Sequence, residues 1–380
     1  MKHMTGEVPQ TVKLLHNLEE VAMAQINLSN KTVSLQEAAR LIEAVGTSVT
    51  IMLQGEPGIG KSSILKMMSD KTADGETRIK SYIDVTNLDL GDIAMPWINK
   101  EDGCTHYVPN ARFGLHTGAP VLLMLDELSK GPDAVQNMLL PLCLERRMGE
   151  KKNHKNTIIF ATGNMSGDGV GDKLKPHAMN RFSVVKVRKP TYSEWIEWGI
   201  SNGIVPEVLA AVKQFPDCLA SYMDGDSQKD NTMIYHPTRP VQAFVSPRSL
   251  EKASDIVRMR RVIGDDPMEA ALIGTTGATF AQRLMTFLHV ADQLPQREHY
   301  LNNPETCMVP TDPMALCMLV FSAVTWVERK DMDAWMKYLQ RFSKEHQALF
   351  CTGIWNSPKQ GMAATCRPFV DWARVNKYIL

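Results

Sequence analysis

Gly55-Glu56-Pro57-Gly58-Ile59-Gly60-Lys61-Ser62 fits the pattern G-x-x-x-x-G-K-[ST], and it stands between an apolar, β-branched run and a helical pattern. Val49-Thr50-Ile51-Met52-Leu53 reads as a strand, and Ser62 to Met68 reads as a helix whose first-turn N–H groups face an anion. The glycines let the backbone wrap phosphate oxygens closely. Lys61 reaches the β- and γ-phosphates, and the Ser62 hydroxyl takes a place on Mg²⁺. The stretch, with Ser63 beside it, therefore reads as a cradle for a nucleoside triphosphate. A glycine turn without a ligand is the alternative, and the strand before and helix after weigh against it.

Around that loop lies a chain of 380 residues, 44% of them hydrophobic, long enough for two or three domains with real cores. Lys and Arg number 42 and so do Asp and Glu, so the formal net charge is zero. No global field draws such a chain to nucleic acid or an anionic membrane, and any contact of that kind needs a local patch. Cysteines at 104, 143, 218, 307, 317, 351 and 366 are odd in number and form no C-x-x-C pair. They read as reduced thiols of a cytoplasmic protein, not as a disulfide frame or a zinc site. The apolar run Ala315 to Val327 is broken by Cys317, Ser322 and Thr325 and is too short to span a bilayer. Met1 to Gln25 alternates polar and apolar residues and does not read as a signal peptide, so no membrane insertion is expected.

Val12 to Ile26 is amphipathic, either a packing helix or an arm to a neighbouring subunit, and residues 1–30 are set apart as a helical arm. Ser34-Leu35-Gln36-Glu37 is a capping box that opens a helix closed by Gly46. Strand-like runs then recur at Ile79 to Val85, Val121 to Leu125, Thr157 to Thr162 and Val184 to Val187 with helical patterns between most of them. That alternation predicts an α/β fold with a parallel sheet covered by helices, spanning residues 31–198. From Tyr192 helical patterns dominate, giving an all-α segment at 199–300 and, after the break at Asn302-Asn303-Pro304, a helical extension at 301–380. Residues 216–245 form a long polar connection, and Ser246-Pro247 opens a helix with Ser as N-cap and Pro in the first turn.

The second nucleotide motif is Val121-Leu122-Leu123-Met124-Leu125-Asp126-Glu127. Its strand delivers Asp126 beside the phosphate loop, where a carboxylate holds the Mg²⁺ hydration shell, and Glu127 follows as a candidate base for water. Adjacent acids after a strand point to hydrolysis rather than transfer; a solvated strand end is the alternative. After the next strand, Ile158-Ile159-Phe160-Ala161-Thr162-Gly163-Asn164 ends in an amide that orients the attacking water or senses the γ-phosphate, although alone Asn164 would read as a turn former. No spacing among His106, His116, His177 and His236 makes a metal site, and no Ser/His/Asp or Cys/His order suggests a second catalytic centre.

The order Gly55 to Ser62, Asp126-Glu127, Asn164 and Asn180-Arg181-Phe182 resembles the AAA+ ATPases, and within them the MoxR branch with its RavA and CbbQ-type proteins. Leu125 to Pro132, Val135 to Leu140 and Leu144-Glu145-Arg146-Arg147 resemble that branch's Walker B strand and following helix, and Ser246-Pro247-Arg248 resembles its sensor 2. The resemblance covers about residues 30 to 290. It implies an AAA+ αβα core with an all-α lid, ATP and Mg²⁺ as cofactors, and a homo-oligomeric, hexameric ring with ATP sites between subunits. Arg181 then matches the finger that a neighbour supplies to the transition state, worth roughly 10³ to 10⁵ in rate in comparable enzymes. An Arg181 paired with a local acid is the alternative. Arg248 contacts the γ-phosphate from the same or a neighbouring subunit, with Arg188 and Arg239 as weaker competitors. The branch further implies a chaperone-like remodeller whose partner is a client or a von Willebrand factor A domain protein.

Two insertions fit the resemblance. Gly91 to Phe113 resembles the helix 2 insert, with Trp97 and Tyr107 either core or pore residues and Phe113 read as packing. Arg146 to Lys155 resembles the hairpin before sensor 1. Its positive charge either grips an acidic client or a nucleic acid backbone or belongs to a solvated turn, so nucleic acid is a possible partner but not the favoured one.

Overall fold

The computed structural model describes residues 31–165, 174, 179–239 and 242–376. The amphipathic stretch Val12 to Ile26 and the arm at 1–30 lie outside them. The chain divides into two compact units: one runs to Glu56, resumes at Lys61 and ends at Arg188, and the other holds Pro57–Gly60 and everything from Lys189.

The first unit is built on a six-stranded parallel sheet. Its strands are β1 (Thr32–Val33), β2 (Ile51–Gln54), β3 (Ile79–Asp84), β6 (Val121–Asp126), β9 (Ile158–Gly163) and β10 (Ser183–Val187), in the spatial order β1-β10-β2-β9-β6-β3. All six residues of β6 and of β9 are buried, which is why these runs are continuously apolar rather than alternating. From β2 the chain crosses to the far edge at β3 and returns through β6 to β9 beside β2, then passes to β10 on the other side. Connections from β2 and β9 thus leave in opposite directions, and the crevice at their carboxyl ends is the topological switch point where doubly wound sheets bind ligands.

Local signals explain the covering helices. Leu35–Val45 starts at the Ser34–Glu37 capping box, stops at Gly46 and buries Ala38 and Ile42. Asp133–Glu145 follows β6 and buries Val135, Leu139, Leu140 and Leu142 in the same core as Ile83, Leu123 and Ile159. The helix expected at Ser62 to Met68 is shorter: a 3₁₀ turn, Lys61–Ser63, leads into a single α-turn, Ile64–Met67. Met68 is already extended, and a turn at Gly75 (φ +84°) closed by Thr72 N–H donating to Glu76 O sends the chain directly back to β3.

Two antiparallel hairpins project from this unit: β4 (Ala94–Ile98) with β5 (Thr105–Pro109), and β7 (Arg147–Met148) with β8 (Lys151–Lys152). Trp97 and Tyr107 are exposed on the first, whereas Phe113 is buried. The hairpins touch, because the Tyr107 N–H donates to Glu150 Oε2 at 3.2 Å.

The second unit is helical. Its helices, from Tyr192–Ser201 to Arg367–Val375, share one core that includes Trp195, Phe280, Phe321, Trp335 and Phe369. Segments 199–300 and 301–380 both contribute to that core. Pro206, Pro247 and Pro313 each sit in a first turn, where no N–H is needed. Pro313–Trp326 is apolar on all sides and heavily buried. Among the described residues no helix is long and apolar enough to cross a membrane.

Candidate functional site

Three parallel strands end side by side and deliver the site. β2 leads into the phosphate loop, with Leu53 paired to Thr162 and Gln54 to Gly163, while Leu125 of β6 pairs with Ala161. Asp126, Glu127, Thr162 and Asn164 therefore leave the sheet at the same edge as Gly55. In the loop, Gly58 (φ +78°) and Gly60 (φ +101°) occupy left-handed backbone that a side chain disfavours.

Lys61 is buried, and its ammonium donates to Gly55 O at 2.7 Å, Glu56 O at 2.9 Å and Asn164 Oδ1 at 3.2 Å. The Ser62 hydroxyl donates to Asp126 Oδ2 at 3.0 Å. Glu127 has φ +54° and ψ +37°, unusual for a residue other than glycine. That turn aims its carboxylate back toward the loop: Asn164 Nδ2 donates to Oε2 at 3.4 Å, and Lys130 Nζ lies 2.9 Å from the same oxygen. A chain of polar contacts thus runs from Lys61 through Asn164 and Glu127 to Lys130.

Lys61, Ser62, Asp126, Glu127 and Asn164 are brought together as the sequence reading places them. Arg181 stands elsewhere in the first unit, exposed just before β10, and Arg248 lies in the first turn of helix Pro247–Arg258 in the second unit. Three side chains were missed. Thr162, fully buried, donates a short hydrogen bond to Asp126 Oδ1 and accepts the Glu127 N–H at 3.1 Å. Tyr82 donates from its hydroxyl to Asp126 Oδ2 at 2.7 Å, and Lys130 pairs with Glu127. A hydroxyl directly after the apolar run Ile158–Ala161 was the one available signal for Thr162.

The residues fit a magnesium–triphosphate group. The two left-handed glycines let the loop curl in a conformation that a side chain disfavours, and the buried Lys61 ammonium, which donates to the oxygens of Gly55, Glu56 and Asn164, is placed to meet anionic phosphate oxygens. Ser62 Oγ and the Asp126 carboxylate offer hard oxygen donors on one side, the donor type that Mg²⁺ takes.

An αβα P-loop core of the AAA+ type, followed by a helical region, is the class of protein that fold and site define. Residues 50–182, about a third of the chain, match the family described as AAA domain (dynein-related subfamily), so the chain carries an AAA domain there. Among solved structures the chain is similar to one described as a candidate ATPase from Cytophaga hutchinsonii, at 13% identity over 88% of this chain and 86% of that one, with a TM-score of 0.34. NtrX from Brucella abortus is similar at 14% identity over 72% of this chain and 74% of that one, with a TM-score of 0.30.

Proposed function

We propose that this protein is a MoxR-like AAA+ ATPase that hydrolyses ATP at inter-subunit sites of a ring, a hexamer, and uses the cycle to remodel or activate a client protein in the cytoplasm. The convergence at the switch point of two hydrogen-bonded sets, Lys61–Asn164–Glu127 and Ser62–Asp126, carries the reading. Gly55 to Ser63 bind the triphosphate, with Lys61 exchanging main-chain carbonyls for phosphate oxygens. Ser62 and Asp126 hold Mg²⁺, which would neutralise charge on the β- and γ-phosphates. Glu127 accepts a proton from water as its oxygen bonds to the γ-phosphorus and the bond to the β–γ bridging oxygen breaks, leaving ADP and inorganic phosphate. Asn164, already bonded to Glu127, orients that water. The exposed Arg181 suits the trans finger, and Arg248 the second sensor. A von Willebrand factor A domain protein is the partner to seek first.

Phosphate release with Mg²⁺ and ATP tests the reaction, and light scattering with and without nucleotide tests the ring. Turnover should vanish in Lys61→Ala and in Glu127→Gln, with Glu127→Gln still binding ATP. Stimulation by DNA or RNA with a steep salt dependence, in place of stimulation by a protein partner, would replace the remodeller by a nucleic-acid motor. Undetectable turnover in assembled rings would leave a nucleotide-gated scaffold.

A further inference from the structure

Asp126 is surrounded by hydroxyls. Thr162 occupies Oδ1, while Ser62 at 3.0 Å and Tyr82 at 2.7 Å both donate to Oδ2. Thr162 and Ser62 come from strand and loop segments that the nucleotide motifs already use, but Tyr82 reaches in from β3, the edge strand. The register pairs Tyr82 with Met124 and Asp84 with Asp126, so its hydroxyl spans two residues, about 6.6 Å along the strand, to meet the carboxylate. A serine or threonine at this position would fall short. The ring is 50% exposed, so burial explains little of why a large aromatic stands here. The phenol is also the most acidic of the three hydroxyls and so the strongest donor to a carboxylate.

We propose that Tyr82 is a positioning residue for Asp126, fixing the carboxylate's rotation so that the site accepts the magnesium of a Mg–nucleoside triphosphate. The inference rests on the ATP-binding reading above. An ionised carboxylate has about four acceptor positions. Three are filled by hydroxyls of defined direction, which leaves one face of Asp126 for the hydration shell of the cation. Without the Tyr82 bond, Oδ2 is held by Ser62 alone, a side chain that must itself turn toward the metal. The carboxylate is then free to swing. Partners of this kind, which orient a metal-holding group without touching the metal, change affinity by about 10- to 100-fold when removed.

The test uses full-length wild type, Tyr82→Phe and Tyr82→Ala with a fluorescent ATP analogue, titrated with Mg²⁺ and, separately, in EDTA. Wild type should bind the analogue more tightly with Mg²⁺. In Tyr82→Phe the Mg²⁺ concentration at half-effect should rise at least tenfold while the affinity in EDTA stays unchanged, and Tyr82→Ala should behave the same, because the hydroxyl and not the ring is responsible. An unchanged Mg²⁺ requirement in Tyr82→Phe overturns the proposal, as does a loss of affinity in EDTA or an effect confined to Tyr82→Ala. Wild type that binds no nucleotide under either condition overturns instead the ATP-binding reading itself.

Discussion

Thr162→Val replaces a hydroxyl by a methyl group of nearly the same volume, so no cavity forms and the whole effect comes from hydrogen bonding. The lost hydroxyl serves two partners at once, donating to the Asp126 carboxylate and accepting the Glu127 N–H. A hydrogen bond to a charged group contributes about 1.5–3 kcal/mol, and a polar group left without its partner costs about 1–3 kcal/mol. Two offsets reduce the sum. Asp126 keeps Ser62 and Tyr82, and Glu127, once released, can leave a left-handed conformation that itself costs about 1–2 kcal/mol. A net loss of about 2–4 kcal/mol remains, or roughly 30- to 1000-fold in the opening equilibrium. Hydrogen exchange followed by mass spectrometry reads it directly. Peptides covering β6 and β9 should exchange faster by that factor, while those from Pro313–Trp326 in the other unit serve as the internal reference. Thr162→Ser, which keeps the hydroxyl, should recover most of the protection. Exchange of β6 and β9 within threefold of wild type in Thr162→Val would refute the assignment of a shared, stabilising hydroxyl.

Gly149→Ala should loosen the two hairpins, because Gly149 has φ +59° and an added Cβ would lie 2.5 Å from Tyr107 O; residues 94–109 should exchange faster while the sheet is unchanged. Native-state alkylation should label Cys104, the exposed thiol, well ahead of the six buried ones, among which burial pushes the Cys143 thiol up to about 12. The Arg260 guanidinium, 2.8 Å from both Asp265 and Asp292, holds the Asp265 carboxyl below its ordinary 3.8. A carboxyl lowered by folding favours the folded state above that ordinary value and ceases to do so as acid protonates it, so Arg260→Met should erase the part of the acid sensitivity of the helical unit that falls below about pH 4, read by circular dichroism. On the proposed ring mechanism, mixing Arg181→Ala with Glu127→Gln should restore turnover that neither has alone, because a mixed ring would contain interfaces with one intact base and one intact finger; no restoration would count against Arg181 acting in trans.

What could be read in the sequence was whatever neighbouring residues specify among themselves. The phosphate loop declares itself because eight consecutive residues fit one motif, and the helix starts at the Ser34 capping box and the Ser246 N-cap because a helix start is settled within four residues. The buried strands declare themselves as apolar runs, and their alternation with helices is enough for a parallel sheet. Asp126 and Asn164 were placed by their position at strand ends. Their supporting contacts were not, because Tyr82, Thr162 and Lys130 acquire meaning only from strand register and from the turn at Glu127. A tyrosine at an exposed strand position reads as ordinary edge chemistry until the register sets it two residues from Asp126. The short helix after the loop was misjudged for the same reason: its apolar periodicity runs on to Met68, but the length is decided by how soon the chain must turn back to pair β3 with β6. Local chemistry therefore proposes which groups form the site, whereas the sheet decides which groups hold them still, and only the second set requires the fold to be known.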